Sequence, residues 1–301
     1  MEREIPNLKT EQVNEETIRL DRMSALEIVR AMNREDRTVP EAVAQVLPQV
    51  ARTIDRMEET IRNGGRIFYI GAGTSGRLGI LDASECPPTF STPPGLVTGL
   101  IAGGDQAIRS AVEGAEDSAE QGAEDLKAHA FTPSDFLVGL AASGRTPYVR
   151  GALVHARKLG AGTAAVTANP GSPVGAEAEI AIEVDTGPEV LMGSTRLKAG
   201  TAQKMILNML STGTMVRLGK IHRNLMVDLQ PTNEKLRDRA IRIVELSTGV
   251  SGQQAADVLK RCGGDPKTAI VSILARCGPE EAKARLQRAG GRVGDAVAEP
   301  E

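Results

Sequence analysis

Two runs in this chain place glycines beside hydroxyl side chains where an apolar stretch gives way to a helical pattern. The first is Gly71-Ala72-Gly73-Thr74-Ser75-Gly76, between the run ending at Ile70 and the helical spacing of Leu78, Ile80 and Leu81. The second is Ala142-Ser143-Gly144-Arg145-Thr146-Pro147, after the run 136–141. Glycine lets backbone approach a ligand closely, and a helix start offers free N–H groups with a partial positive charge. Such turns suit an anion, most often a phosphate. Gly-rich turns also serve as packing devices, but two converging on one rim favour the phosphate reading. The first turn is neither the dinucleotide fingerprint nor a P-loop, because no Gly-Lys-Ser/Thr follows and the third glycine is displaced. Its helix runs into Asp82-Ala83-Ser84-Glu85-Cys86-Pro87-Pro88. The prolines are expected to stop that helix and leave Glu85 at its C-terminal end. There the helix dipole would disfavour the charged carboxylate, which suits a proton donor.

The elements that must position these turns repeat along the chain. Short apolar runs at 66–70, 96–101, 136–141, 163–167 and 179–184 alternate with helix-like segments. This predicts an α/β fold, a five-stranded doubly wound parallel sheet covered on both faces. Residues 1–20 are polar and read as a mobile lead or a clasp on another subunit. A helix over 24–32 follows, with Thr38-Val39-Pro40-Glu41 opening one long helix to Asn63. Another is expected over 196–218, apolar around much of its girth and so core or interface. Beyond residue 232, Gly- and Pro-separated helices suggest a compact appendage, and 290–301 a loose tail. The organisation read here is a lead over 1–39, a main domain over 40–230 and a small helical domain over 231–301.

Composition excludes several classes. Aromatic residues make up 2% with no Trp, and the formal net charge is −3. Base-stacking platforms and a basic field for nucleic acid or anionic lipid are therefore both missing. No run approaches the roughly 18 apolar residues of a membrane span. The N-terminal residues have no leader-like apolar core, and Cys86, Cys262 and Cys277 read as free thiols, so a cytoplasmic protein is expected. His129, His155 and His222 lack ligand spacing, so no metal is expected. Cys86 has no His near it in sequence and reads as an apolar filler. Glu113, Glu116, Asp117, Glu120 and Glu124 form an acidic run that pattern alone assigns to a solvated face. Arg145 and Lys198 are candidates to contact a phosphate, with a plain surface charge the equal alternative for each.

The two turns, together with 82–89, 99–104, 111–118 and 193–204, resemble the sugar isomerase (SIS) domain and, within it, the N-acetylmuramic acid 6-phosphate etherases. The resemblance covers nearly the whole chain, and Ala255–Leu274 is similar to a ubiquitin-associated-type helical fold. It implies a flavodoxin-like fold and a homodimeric lyase. That lyase removes the D-lactyl ether of N-acetylmuramate 6-phosphate by elimination and hydration, in cell-wall amino-sugar recycling. No cofactor or metal is implied. It further implies Glu85 as proton donor and Glu116 as second acid–base residue; the residue pattern alone does not choose Glu116 over Glu113. Thr74, Ser75, Ser143, Gly144, Thr146, Ser194 and Thr195 are the candidate substrate-binding residues. Under the resemblance, the lactate carboxylate is a second candidate partner for Arg145 and Lys198. A weaker likeness to the glucokinase regulatory protein leaves a non-catalytic phosphosugar binder as an alternative. An aldose–ketose isomerase on the same fold is another.

Overall fold

The computed structural model describes residues 8–229 and 234–298. It divides into two compact units, one reaching to Ser84 and continuing over Gly95–Ser211, the other formed by Glu85–Pro94 and the chain from Thr212. The expected boundary at 230/231 and the extreme ends of the chain (1–7 and 299–301) lie outside the described residues.

In the first unit, α1 (Ala25–Asp36) begins at a capping box, with the Ser24 and Glu27 side chains serving each other's backbone. The long helix expected from Thr38 is instead two, α2 (Thr38–Ala44) and α3 (Leu47–Arg62). Pro48 explains the break: it has no N–H for the carbonyl of Ala44, and its ring would clash there. The strands follow as β1 (Ile67–Gly71), β2 (Val97–Ile101), β3 (Phe136–Ala141), β4 (Gly162–Thr167) and β5 (Ile180–Glu183). They form one parallel sheet in the order β2-β1-β3-β4-β5, the flavodoxin-like order. Between them lie α4 (Gly73–Phe90), α5 (Gly104–Arg109), α6 (Ala119–Ala128), α7 (Pro147–Leu159) and α8 (Pro173–Ala176), and α9 (Lys198–Arg217) follows the sheet.

Alternation along the strands divides the core. Phe68, Ile70, Leu137 and Ala165 pack with Leu126 of α6 and with Tyr148, Val149 and Leu153 of α7. On the opposite face, Tyr69 and Leu140 press against Gly79 of α4, where a Cβ would lie 3.0 Å from either side chain. The two faces are the doubly wound arrangement.

Two expectations are corrected. Pro87 and Pro88 do not stop α4, which continues to Phe90. The prolines deprive the Ala83 and Ser84 carbonyls of their helical donors, yet the turn is held, and the Ser91 amide bonds the Pro87 carbonyl at 3.0 Å. Glu85 therefore sits inside the helix, and the dipole argument for it fails. The lead is also packed where it is described: Thr10 and Thr17 are buried. Thr17 Oγ1 donates to the Val190 carbonyl at 2.9 Å.

The second unit holds α10 (Glu234–Thr248), α11 (Gly252–Arg261), α12 (Pro266–Leu274), α13 (Pro279–Arg288) and α14 (Val293–Val297). They share one core with Val227 and Leu229. Asp265 caps α12 through the Lys267 and Thr268 amides. The expected loose tail is in part α14, with Val293 and Ala296 buried. Among the described residues no helix is long and apolar enough to cross a membrane.

Candidate active site

β1 and β3 are neighbours in register, yet the chain leaves β1 toward β2 on one side and β3 toward β4 on the other. This is the switch point at which open α/β sheets form a crevice, and both hydroxyl turns flank it. After β1 the chain turns within Ala72, and α4 starts at Gly73 with φ +51°. The amides of Gly73, Thr74 and Ser75 are thus first-turn donors without helical acceptors. Gly71 cannot be larger, since a Cβ there would meet the Gly76 amide nitrogen at 2.7 Å. Ser75 is buried and its Oγ donates to Gln203 Oε1 of α9 at 2.9 Å. Thr74 is half-buried, and its methyl lies 3.6 Å from where a Cβ on Gly200 would stand.

After β3, Gly144 takes φ +71°, and a Cβ there would lie 2.3 Å from that of Ser172. Ser143 Oγ accepts from the Arg145 amide at 3.3 Å. Thr146 is the N-cap residue of α7, with Pro147 in its first turn, and its hydroxyl makes no capping bond. Buried Asn169 holds this turn from below: its Nδ2 donates to the Ala142 and Ser143 carbonyls at 3.1 and 3.4 Å, and to Thr10 Oγ1 at 3.1 Å.

The third rim segment follows β2. Gly103 and Gly104 both have positive φ, and Val112 packs where a Gly103 Cβ would be. The segment returns through Gly114 (φ +72°) into a single 3-10 turn, Ala115–Asp117. Glu113 and Glu116 are exposed, and both line a cavity of about 180 Å³ with Gly73 and Arg77. Arg77 Nε donates to the Ile108 carbonyl at 3.0 Å, tying this excursion to α4. The cavity does not choose between the two glutamates. Glu85 opens the second unit and is exposed.

Ser194 and Thr195 stand half-buried in the turn before α9, where the Thr195 carbonyl accepts from the Gly200 amide at 2.9 Å. Fully buried Glu189 caps that helix through the Lys198 and Ala199 amides at 2.9 and 3.0 Å. Burial pushes its carboxyl above the ordinary value, against the pull of those amides. Lys198 is 3% exposed and pairs with Glu35 of α1 at 2.6 Å. Its ammonium is committed within the fold and does not stand ready for a substrate anion. Asp82 faces Ser211, whose Oγ donates at 3.0 Å. Burial raises its carboxyl to about 6, although Ser211, Tyr69 and Lys204 act to lower it. Among the described residues no cluster of His, Cys, Asp and Glu could hold a metal ion.

Residues 49–157 match the family described as the glucokinase regulatory protein N-terminal SIS domain, and residues 118–213 match the SIS domain. An N-acetylmuramic acid 6-phosphate etherase of Pectobacterium atrosepticum is 54% identical over 290 residues, covering 96% of each chain. The chain belongs to the N-acetylmuramic acid 6-phosphate etherase family. An etherase of this name from Symbiobacterium thermophilum is 57% identical over 272 residues, 90% of each chain. A solved phosphoheptose isomerase from Francisella tularensis is similar in fold, with a TM-score of 0.50 at 19% identity, covering 63% of this chain and all of that one.

In this etherase-family chain, three further residues support the candidate site without being candidate site residues from sequence: Gln203 behind Ser75, Asn169 behind Ser143, and Arg77 on the cavity wall. Arg77 has a signal in the sequence, a cation one position past the glycine turn, and Gln203 falls within the 193–204 run. The partners of Gln203 and Asn169 lie 128 and 26–27 residues away in sequence, beyond any local pattern.

Proposed function

We propose that this chain cleaves the D-lactyl ether of N-acetylmuramate 6-phosphate, giving N-acetylglucosamine 6-phosphate and D-lactate. The observation that carries the reading is the pair of hydroxyl–glycine turns opening helices at the β1/β3 switch point, with a cavity lined by Glu116 after β2. The open-chain sugar presents a C1 aldehyde that acidifies the C2–H. Glu116 takes that proton, the electron pair forms the C2=C3 bond, and the C3–O bond breaks. Glu85 protonates the departing ether oxygen, so lactate leaves with its hydroxyl. Water then adds at C3 of the unsaturated aldehyde and restores the sugar. Two carboxylates suffice for these proton transfers, and no cofactor or metal enters the scheme. Thr74, Ser75, Ser143, Gly144, Thr146, Ser194 and Thr195 hold the phosphosugar, the 6-phosphate lying against the two turns.

The enzyme acts as a cytoplasmic homodimer in cell-wall amino-sugar recycling. A second copy is supported by the exposed apolar side chains Val13, Ile18, Leu191 and Met192, which line one groove of the first unit. Incubating the protein with N-acetylmuramate 6-phosphate and assaying D-lactate tests the activity. The match of residues 49–157 to the regulatory-protein SIS domain favours one other reading, a binder without turnover. Folded protein that binds the sugar and releases no lactate would establish that reading instead.

A further inference from the structure

Arg77 is half-buried on the second turn of α4. Its Nε is spent on the Ile108 carbonyl, which fixes the plane of the guanidinium. Among the described residues no carboxylate pairs with it, so the Nη edge has no anion of its own. A guanidinium edge that borders a cavity and is not paired within the fold is available to an anion. The planar fork of arginine matches a carboxylate through two parallel N–H···O bonds. The cavity beside it, about 180 Å³, falls below the roughly 300–1,000 Å³ of a site enclosing a whole small molecule. A cavity of that size would take an arm of a few carbons, leaving the sugar at its mouth beside Glu116.

The inference rests on the proposed etherase reading, in which the substrate carries two anions. The 6-phosphate has the two helix-start turns. The lactyl carboxylate, on C3 and close to the bond that breaks, needs a second receiver. Lys198 is paired to Glu35. We infer that the Nη edge of Arg77 receives the lactyl carboxylate in the cavity shared with Glu116. Arg77 is then the residue by which the site distinguishes a lactyl ether from the bare amino-sugar phosphate. It holds the leaving group in place while C3–O breaks.

The test compares two ligands by calorimetry on the full chain. One is the analogue of N-acetylmuramate 6-phosphate with CH₂ in place of the ether oxygen, which binds without turnover. The other is N-acetylglucosamine 6-phosphate, which has the phosphate and no carboxylate. Wild type is expected to bind the first at least tenfold more tightly. Arg77→Ala should lose about 10²-fold for the first, the scale of a bidentate bond between charged groups, and change less than twofold for the second. Arg77→Lys, which keeps the charge and most of the stem, serves if the alanine variant does not fold, with a smaller loss on the first ligand alone. Equal losses on both ligands, or a loss confined to the second, would overturn the inference and make Arg77 a phosphate ligand or a structural residue. Wild type that prefers the first ligand but releases no lactate from the true substrate would sink the etherase reading and leave the assignment of Arg77 standing.

Discussion

Ser75 Oγ donates to Gln203 Oε1 at 2.9 Å, and this bond ties the β1–α4 turn to α9. Gln203 is 2% exposed, and its Nε2 has no partner among the described residues. A half-turn of the amide would set Nε2 against Ser75 Oγ and release the serine proton to an anion in the turn. Gln203→Glu cannot make that exchange and brings a negative charge behind the turn. It should weaken N-acetylglucosamine 6-phosphate binding by about 1–3 kcal/mol, the scale for a hydrogen bond to a charged group. Calorimetry that finds unchanged affinity in a folded variant would remove Gln203 from the phosphate site.

At the other turn, Ser143→Ala should weaken phosphorylated sugars by about 1–3 kcal/mol and leave the non-phosphorylated sugar almost unaffected. Equal losses for the two ligands would mean that the hydroxyl supports the loop and not the phosphate.

The three glutamates separate by proton NMR of the substrate in D₂O. Glu116→Gln should abolish both C2 exchange and lactate release. Glu85→Gln should slow C–O cleavage while some exchange persists, because the base remains. Glu113→Gln, in the same cavity, should stay near wild type. Loss of an acid–base group costs about 10²–10⁴-fold, so the patterns are readable. Exchange lost in Glu113→Gln and kept in Glu116→Gln would transfer the base to Glu113.

Asp82 gives a pH dependence of stability. Its folded carboxyl titrates near 6, against about 3.9 for an unfolded aspartate. The native state therefore holds the extra proton in that window, so this group's contribution falls as pH rises from about 4 to 6. Asp82→Asn keeps the side-chain shape and removes the buried charge. It should raise the stability of the first unit by about 1–3 kcal/mol at pH 7.5 and by little at pH 4.5. Thermal unfolding at both pH values checks this. A variant less stable at pH 7.5 would show that the charge is worth more to Ser211 and Tyr69 than its burial costs.

The sheet was legible because buried parallel strands are nearly continuous apolar runs, as Ile67–Ile70 and Phe136–Ala141 are. Both hydroxyl turns were legible for a related reason: they punctuate those runs. Prolines were harder to read. Pro48 broke a helix whose apolar spacing continued through it, while Pro87 and Pro88 were accommodated within the last turns of α4. Lys198 shows a different limit. A lysine beside a candidate loop reads as available, and only the placement of α1 reveals that Glu35 holds it. Arg77 depends likewise on where the chain after β2 puts the Ile108 carbonyl.

The Asn169 clasp bears on the order in which the protein becomes competent. Thr10 meets Asn169 across 159 residues, and Thr17 meets Val190 across 173. Contacts so distant in sequence form only after the intervening chain is ordered, because closing such long loops costs entropy before any bond repays it. On a ribosome, the support under Ser143 cannot close until Asn169 has emerged, and the Val190 contact follows later still. The β3–α7 turn itself is bonded to Asn169 across only 26–27 residues, so the contacts made by Thr10 and Thr17, and not the turn, are expected to be the last of the first unit to set.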